Sequence, residues 1–415
     1  MRIVFVSNYI NHHQIPFCEE MIAQCGEGNE FIFVQTEEVA EERVKMGWET
    51  SMPGYVKLAY TDAESNRQCR QLIFDSEVVI FGGCEDESYI TPRLEAGKFT
   101  FRYTERVYKE AQWKWISPRG LIKKYREHTK YNDKPVYLLC AGGYVASDFG
   151  KFRAYKNKMY KWGYFPAVYE YDIDELMANK GYEKDGKKIL YILWTGRFLD
   201  WKHPELALEV AKSLKDKNIE FHMDVVGNGP EEANVRALYE KYELSDCVDL
   251  MDFIKPDEVR ERMKQANIYL FTSDRNEGWG AVANEAMNSG CVVLADSMIG
   301  AVPYLIESGE NGLTYETNML STLFINAEEA ALNSEMRDSI GRNAYSTMVD
   351  VWNPRNAAAS LLDLIDEKLR GENFDLAKRM PDRYAPCMRD FPKTEKRIIA
   401  ELYTSDSGKL PGDFK

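Results

Sequence analysis

The sequence predicts an α/β protein made of two doubly wound parallel sheets, and three observations predict it. Short apolar runs of strand character alternate with helical stretches, the order that buries a parallel sheet between layers of helices. That series runs twice, separated by a polar, mixed segment near residues 167–188. The chain has 415 residues, 44% of them hydrophobic and 13% aromatic, which is enough for two cores and excludes a disordered chain.

The first series opens with the apolar strand Arg2-Ile-Val-Phe-Val-Ser7, followed by the loop 8–16 that carries His12 and His13, and then by a helix over 17–23. Strand signals recur at 30–35, 77–81, 99–103 and 135–140. The second series has strands at 188–194, 221–226, 248–251, 268–272 and 291–295, separated by helices over 204–214, 231–242 and 257–265. A last helix over 355–369 begins after Val351-Trp-Asn-Pro354, with Leu361, Leu362, Leu364, Ile365 and Leu369 recurring along it, and a further helix signal lies at 393–403. These elements divide the chain into domains at 1–165 and 166–350, with a terminal helix and tail at 351–415. Two domains of this kind are expected to face each other across a cleft with ligand sites on both lips.

The second domain is organised around Ser273-Asp-Arg-Asn-Glu277-Gly-Trp-Gly280-Ala-Val-Ala-Asn-Glu285, with the apolar strand Cys291-Val-Val-Leu-Ala295 behind it. Gly278 and Gly280 let the backbone turn from the strand 268–272 into a helix. A glycine turn and a helix start at the carboxyl end of a parallel strand form a place for an anion. On that helix Glu285 shares an arc with Ala281, Asn288 and Ser289, opposite the apolar Val282, Ala283, Ala286 and Met287. Spacing alone leaves open whether Glu285 binds a ligand or is solvated.

Further chemistry sits at other strand ends. Thr195-Gly196-Arg197-Phe-Leu-Asp-Trp-Lys202-His-Pro204 joins a strand to a helix that Pro204 suits as a first residue. Arg197 and Lys202 could there supply a fork and a point charge to a diphosphate, or simply be surface cations. Val226-Gly227-Asn228-Gly229 has two glycines of a dinucleotide fingerprint and a glutamate, Glu232, where the third belongs. Asp172-Ile-Asp174 is formally a D-x-D pair but stands directly before a helical stretch, so capping is the better reading.

The spacing Glu277-(seven residues)-Glu285, followed by Gly290-Cys-Val-Val and by Gly300-Ala-Val-Pro-Tyr-Leu-Ile-Glu-Ser-Gly-Glu-Asn-Gly312, resembles the donor-site signature of retaining glycosyltransferases of the GT-B fold, family 4 (glycosyl transferases group 1). The resemblance implies two Rossmann-like domains facing a cleft, with the C-terminal helix crossing back to the first. It also implies transfer of a sugar from a nucleotide diphosphate sugar, UDP-sugar first and GDP-sugar second, to an acceptor hydroxyl in surface polysaccharide or glycan assembly. Configuration would be retained, and neither a metal nor any other cofactor is expected. Carried over residue by residue, Glu277, Arg197 and Lys202 are the catalytic candidates. Glu285, Gly278, Trp279, Gly280, Gly227, Asn228, Phe253 and Ile254 are the donor-binding ones. Where relatives have a glycine-rich turn and a histidine, this chain has His12, His13 and Glu105, which become acceptor-side candidates. A glycan or lipid-linked glycan is the acceptor the resemblance implies. The rival readings are a catalytically degenerate, transferase-like partner subunit and a two-domain nicotinamide dehydrogenase.

Charge and cysteines set the remaining expectations. The net charge of −14 argues against a nucleic-acid binder. Between Thr100 and Gly163, however, 15 Lys and Arg stand against 5 Asp and Glu, about +10, which leaves about −24 elsewhere. Cations and aromatics interleave in Trp113-Lys-Trp115, Lys123-Lys-Tyr-Arg126 and 151–162, which suits either an anionic membrane surface or a solvated basic face. The eight cysteines include no C-x-x-C pair, as expected of reduced, buried thiols. With neither an apolar leader segment nor an apolar run of membrane-spanning length, the expected location is the cytoplasm, with the inner face of the membrane as a peripheral site.

Overall fold

The computed structural model describes residues 1–40, 52–109 and 116–370. The helix expected at 393–403 and the Trp113-Lys-Trp115 cluster lie outside the described residues. The chain divides into two compact units, one formed by Met1–Ala167 together with the segment that starts at Val351, the other by Val168–Asp350.

In the first unit, strands β1 (Arg2–Ser7), β2 (Glu30–Gln35), β3 (Val56–Leu58), β4 (Val78–Gly82), β5 (Thr100–Thr104), β6 (Val136–Ala141) and β7 (Met159–Trp162) pair in the order β3-β2-β1-β4-β5-β6-β7, all parallel. All five residues of β4 are buried, because a parallel sheet is covered on both faces and its strands need no polar side. Helix Pro354–Arg370 belongs to this unit. It buries Ala357, Ala358, Leu361, Leu364 and Ile365, and Gln24 donates to the carbonyl of Arg355 at 3.1 Å. Just before it, Trp352 stacks on Phe165 with ring centroids 5.3 Å apart.

The second unit repeats the plan. Strands β8 (Tyr182–Lys184), β9 (Lys187–Thr195), β10 (Phe221–Val226), β11 (Val248–Met251), β12 (Ile268–Phe271), β13 (Val292–Asp296) and β14 (Leu313–Tyr315) form a sheet in the order β11-β10-β9-β12-β13-β14, with β8 antiparallel to β9. Its core joins Ile192, Trp194, Met223, Ile268 and Leu294 to Leu208 and Val210 of helix Pro204–Asp216. The buried Lys180 ammonium donates to the carbonyls of Met263, Ala266 and Ser289 at 2.9, 2.7 and 2.6 Å, so its charge is fully hydrogen-bonded.

Both sheets are therefore doubly wound, as the alternation of elements predicts. The strands that sequence reading misses are short or disguised. Val56–Leu58 and Leu313–Tyr315 have three residues each, too few to show a period of two. Met159–Trp162 corrects the reading of the basic zone at 151–162. Met159, Tyr160 and Trp162 are buried there, so their aromatic content belongs to an edge strand and not to a membrane-facing surface. Asp172 is a helix cap, its carboxylate accepting from the backbone N–H of Asp174 and Glu175, both at 3.0 Å.

Candidate functional site

In each sheet the winding direction reverses once, between β1 and β4 and between β9 and β12. The loops leaving such a pair at their carboxyl ends diverge and leave a crevice. In the second unit those loops are 196–203 after β9 and 272–281 after β12, and they hold Arg197, Lys202 and Glu277.

Hydrogen bonds draw the two loops together. The Trp194 indole N–H donates to Thr272 Oγ1 at 2.7 Å, and the Thr272 hydroxyl lies 2.7 and 3.0 Å from the carbonyls of Lys202 and His203, to which it donates. That clamp sets Lys202 Nζ 2.7 Å from Glu277 Oε2, with Ser273 Oγ donating to the same oxygen at 3.0 Å. The Trp201 ring lies under the ammonium, its centroid 4.6 Å from Nζ. Lys202 and Glu277 are each mostly covered yet still open to solvent, with side-chain exposures of 20% and 15%. Arg197 is exposed on the same loop.

Glycines make the close approach of these loops possible. A Cβ on Gly227 would sit 1.8 Å from the Gly196 carbonyl oxygen, and one on Gly229 would sit 2.6 Å from that of Phe198. The two glycines that resembled the first two of a dinucleotide fingerprint are therefore accounted for by the Arg197 loop packed on them. At the central turn Gly280 adopts φ +89, and a Cβ there would meet the Phe271 ring at 2.4 Å.

The nucleotide-side candidates gather at the ends of β10 and β11. Asn228 Nδ2 and the Phe253 backbone N–H both donate to Asp252 Oδ1, each at 2.6 Å. The Phe253 ring is 49% exposed, so a flat apolar face is held open to solvent beside the Gly227 turn, with Ile254 half-buried next to it.

Three expectations need correcting. The Trp279 side chain is 1% exposed, and its indole donates to Asn284 Oδ1 at 2.9 Å; it packs the turn, leaving only its backbone near the crevice. The helix after the turn, Val282–Asn288, has only seven residues, so its dipole adds little and charge neutralisation falls to the side chains. Nor is its Asn288–Ser289 strip open. Both residues are buried, and Asn288 is tied to the Tyr169 backbone at 2.9 and 3.0 Å. Glu285 lies on the same helix, and burial raises its carboxyl above the usual range.

Residues 172–347 match the family described as glycosyl transferases group 1. This segment is a glycosyl transferases group 1 domain. A relative of similar sequence is WcaL of Salmonella typhimurium, named as a colanic acid biosynthesis glycosyltransferase, 25% identical over 42% of this chain and 45% of its own length. The chain thus spans less than half of that curated relative. Among solved structures, HepE of Anabaena, determined in complex with UDP, superposes with a TM-score of 0.60 at 13% identity, covering 90% of this chain and all (100%) of HepE. WaaG, a glycosyltransferase involved in lipopolysaccharide biosynthesis, gives 0.56 at 16% identity over 88% of this chain and 99% of its own. At such identities the likeness shows the fold, and that fold is GT-B.

Within the group 1 domain, sequence reasoning missed His203. It sits at φ +49 before Pro204 and contacts Asp274 Oδ2 at 3.7 Å and Glu205 Oε1 at 2.8 Å. Asp274 and then Glu205 push its pKa up to about 10, so it is a cation at neutral pH, next to Lys202. Nothing in its spacing marks it, because its partner Asp274 comes from another strand end. Asp296, at the end of β13, is raised to about 6 by burial.

In the first unit the crevice between the β1 and β4 loops is a cavity of about 250 Å³ lined by Asn8, Asn11, His13, Gln14, Tyr103 and Tyr164, among others. The His12 ring lies against that of His13, centroids 3.8 Å apart. Glu105 does not reach this wall. Its carboxylate accepts from the Tyr164 hydroxyl at 2.6 Å and pairs with Lys109, so it supports a lining residue from behind. The acceptor-side candidates thus come together in part: His13 lines the cavity, His12 backs it, and Tyr103 and Tyr164 are added.

Proposed function

We propose that the chain is a retaining glycosyltransferase that moves a sugar from a nucleoside diphosphate donor to an acceptor hydroxyl, in the assembly of a surface polysaccharide or related glycan. The observation that carries this reading is the pairing of Lys202 with Glu277 at 2.7 Å, at the winding reversal of the sheet inside the group 1 domain. The pair resolves how one small site serves two needs. A diphosphate entering the crevice takes Lys202, assisted by exposed Arg197, and neutralises the charge that grows as the sugar leaves. Glu277, released from its cation, accepts hydrogen bonds from the sugar hydroxyls.

In the same reading Glu285 holds the ribose hydroxyls, the backbone of Gly278 to Gly280 approaches the phosphates, and Phe253 lies along the base with Asn228 and Ile254 around it. HepE was determined with UDP, which favours uridine as that base. Arg197 and Lys202 supply the charge neutralisation, so the proposed reaction runs without a metal. On the first unit, the cavity of His13, Tyr103 and Tyr164 takes the acceptor, a glycan or a lipid-linked glycan, where aromatic faces suit sugar rings.

A thermal-shift screen over nucleotide sugars tests the reading, because a ligand that binds the folded state raises its melting temperature by mass action. The expected result is a rise with one nucleoside diphosphate sugar and with its nucleoside diphosphate, reduced in Lys202→Ala. Equal melting temperatures with every nucleotide sugar, and no sugar released from any of them, would defeat it.

A further inference from the structure

His203 links the two loops of the second-unit crevice through a contact separate from the Lys202–Glu277 pair. It follows Lys202 directly and adopts φ +49 and ψ +54, the left-handed region that disfavours a residue with a Cβ and is free to glycine. Helix Pro204–Asp216 starts at the next residue, and a glycine would make the same turn into it. The turn therefore does not call for an imidazole, and a side chain kept in such a conformation points to a role of its own.

Both ring nitrogens are engaged. Nδ1 donates to Glu205 Oε1 at 2.8 Å, within the first turn of its own helix, and this orients the ring. Nε2 lies 3.7 Å from Asp274 Oδ2, on the loop that leaves β12, and the two side chains are 31% and 23% exposed. An ion pair covered to this degree is screened by salt only in part. Asp274 in turn shapes the Glu277 turn. Its backbone N–H donates to the Trp201 carbonyl at 2.9 Å, and its carbonyl accepts from the Glu277 N–H at 3.1 Å. Its Oδ1 accepts from the Asn276 N–H at 2.7 Å. One contact thus joins the residue after Lys202 to the residue that begins the turn ending at Glu277.

We infer, on the transferase reading, that His203 is a positioning residue of the donor site: paired with Asp274, it keeps the Lys202 loop and the Glu277 turn in register while Lys202 exchanges its carboxylate for the donor's diphosphate. In that reading the Lys202–Glu277 pair opens when the diphosphate binds, just as the two loops must hold their spacing. The His203–Asp274 pair joins the same loops and is left intact. His203 does not need to touch the donor, because it acts through the placement of Lys202 and Glu277.

Titration of the full chain tests this, by calorimetry with UDP and GDP and by ligand-observed NMR with uridine and guanosine, which lack phosphate. His203→Gly removes the ring and also relieves the left-handed turn, so it should melt close to the parent. It should bind the nucleoside diphosphate about tenfold more weakly, since Lys202 must then be ordered at each binding event, and the nucleoside as the parent does. Asp274→Asn keeps the acceptor for Asn276 and should show the same pattern, with the double variant no weaker than either single one. In a Lys202→Ala background, His203→Gly should have no further effect. Diphosphate binding unchanged in both variants, nucleoside binding weakened to the same degree, or additive losses in the double variant would overturn the inference alone. A parent that binds neither UDP nor GDP would overturn the transferase reading and the inference with it.

Discussion

Strand β1 meets β4 in the first unit as β9 meets β12 in the second, yet the loops leaving the two junctions carry different chemistry. At the second, a lysine and a serine lie within 3.0 Å of one carboxylate oxygen of Glu277, with the charged His203 beside them. At the first, the wall is histidine, asparagine, glutamine and tyrosine, and its nearby carboxylate, Glu105, is turned into a support for Tyr164. The family match falls on residues 172–347 alone. One sheet topology thus determines where a crevice opens, while the loops determine whether it suits phosphates or neutral hydroxyls.

The comparison breaks most sharply if the charged pair is removed. Lys202→Ala or Glu277→Gln should cut sugar transfer by ~10²-fold or more, whereas His13→Ala should slow transfer and leave hydrolysis of the donor by water unchanged. Measuring both reactions in all three variants separates the two crevices, and an equal loss of hydrolysis in His13→Ala would erase the distinction.

The next effect concerns the clamp rather than the charges. Thr272→Val removes the hydroxyl that receives the Trp194 N–H and donates to the Lys202 and His203 carbonyls. Leaving those groups unpaired should cost about 1–3 kcal/mol, read by urea unfolding, and should raise the donor KM. In the first unit Tyr164→Phe removes the hydroxyl that donates to Glu105, leaving the carboxylate its ion pair with Lys109. A stability loss of about 1 kcal/mol is expected, with the acceptor KM raised and the donor KM unchanged.

The smallest effect is in pH. His203 has its folded pKa raised from 6.5 to about 10, so its stabilising contribution is fully present below about pH 6.5 and is lost as pH rises through about 10. Melting curves of the parent and of His203→Gln should therefore differ at neutral pH and converge toward pH 10. A constant difference across that range would show that the histidine packs without its charge.

Much of this was legible in the chain itself. The alternation of apolar strands with helices, repeated twice, determined both sheets, because burial on two faces leaves a local hydrophobic signature that needs no knowledge of partners. The glycines at 227, 278 and 280 marked the crevice of the second unit, since tight turns restrict residue type locally, whereas Glu277 and Glu285 were singled out by the family resemblance. Tertiary structure alone decided what those residues touch. Lys202 reaches Glu277 across 75 positions only because β9 and β12 are neighbours. Trp279 turns into the core and Glu105 turns away from its cavity because packing, not spacing, selects side-chain direction.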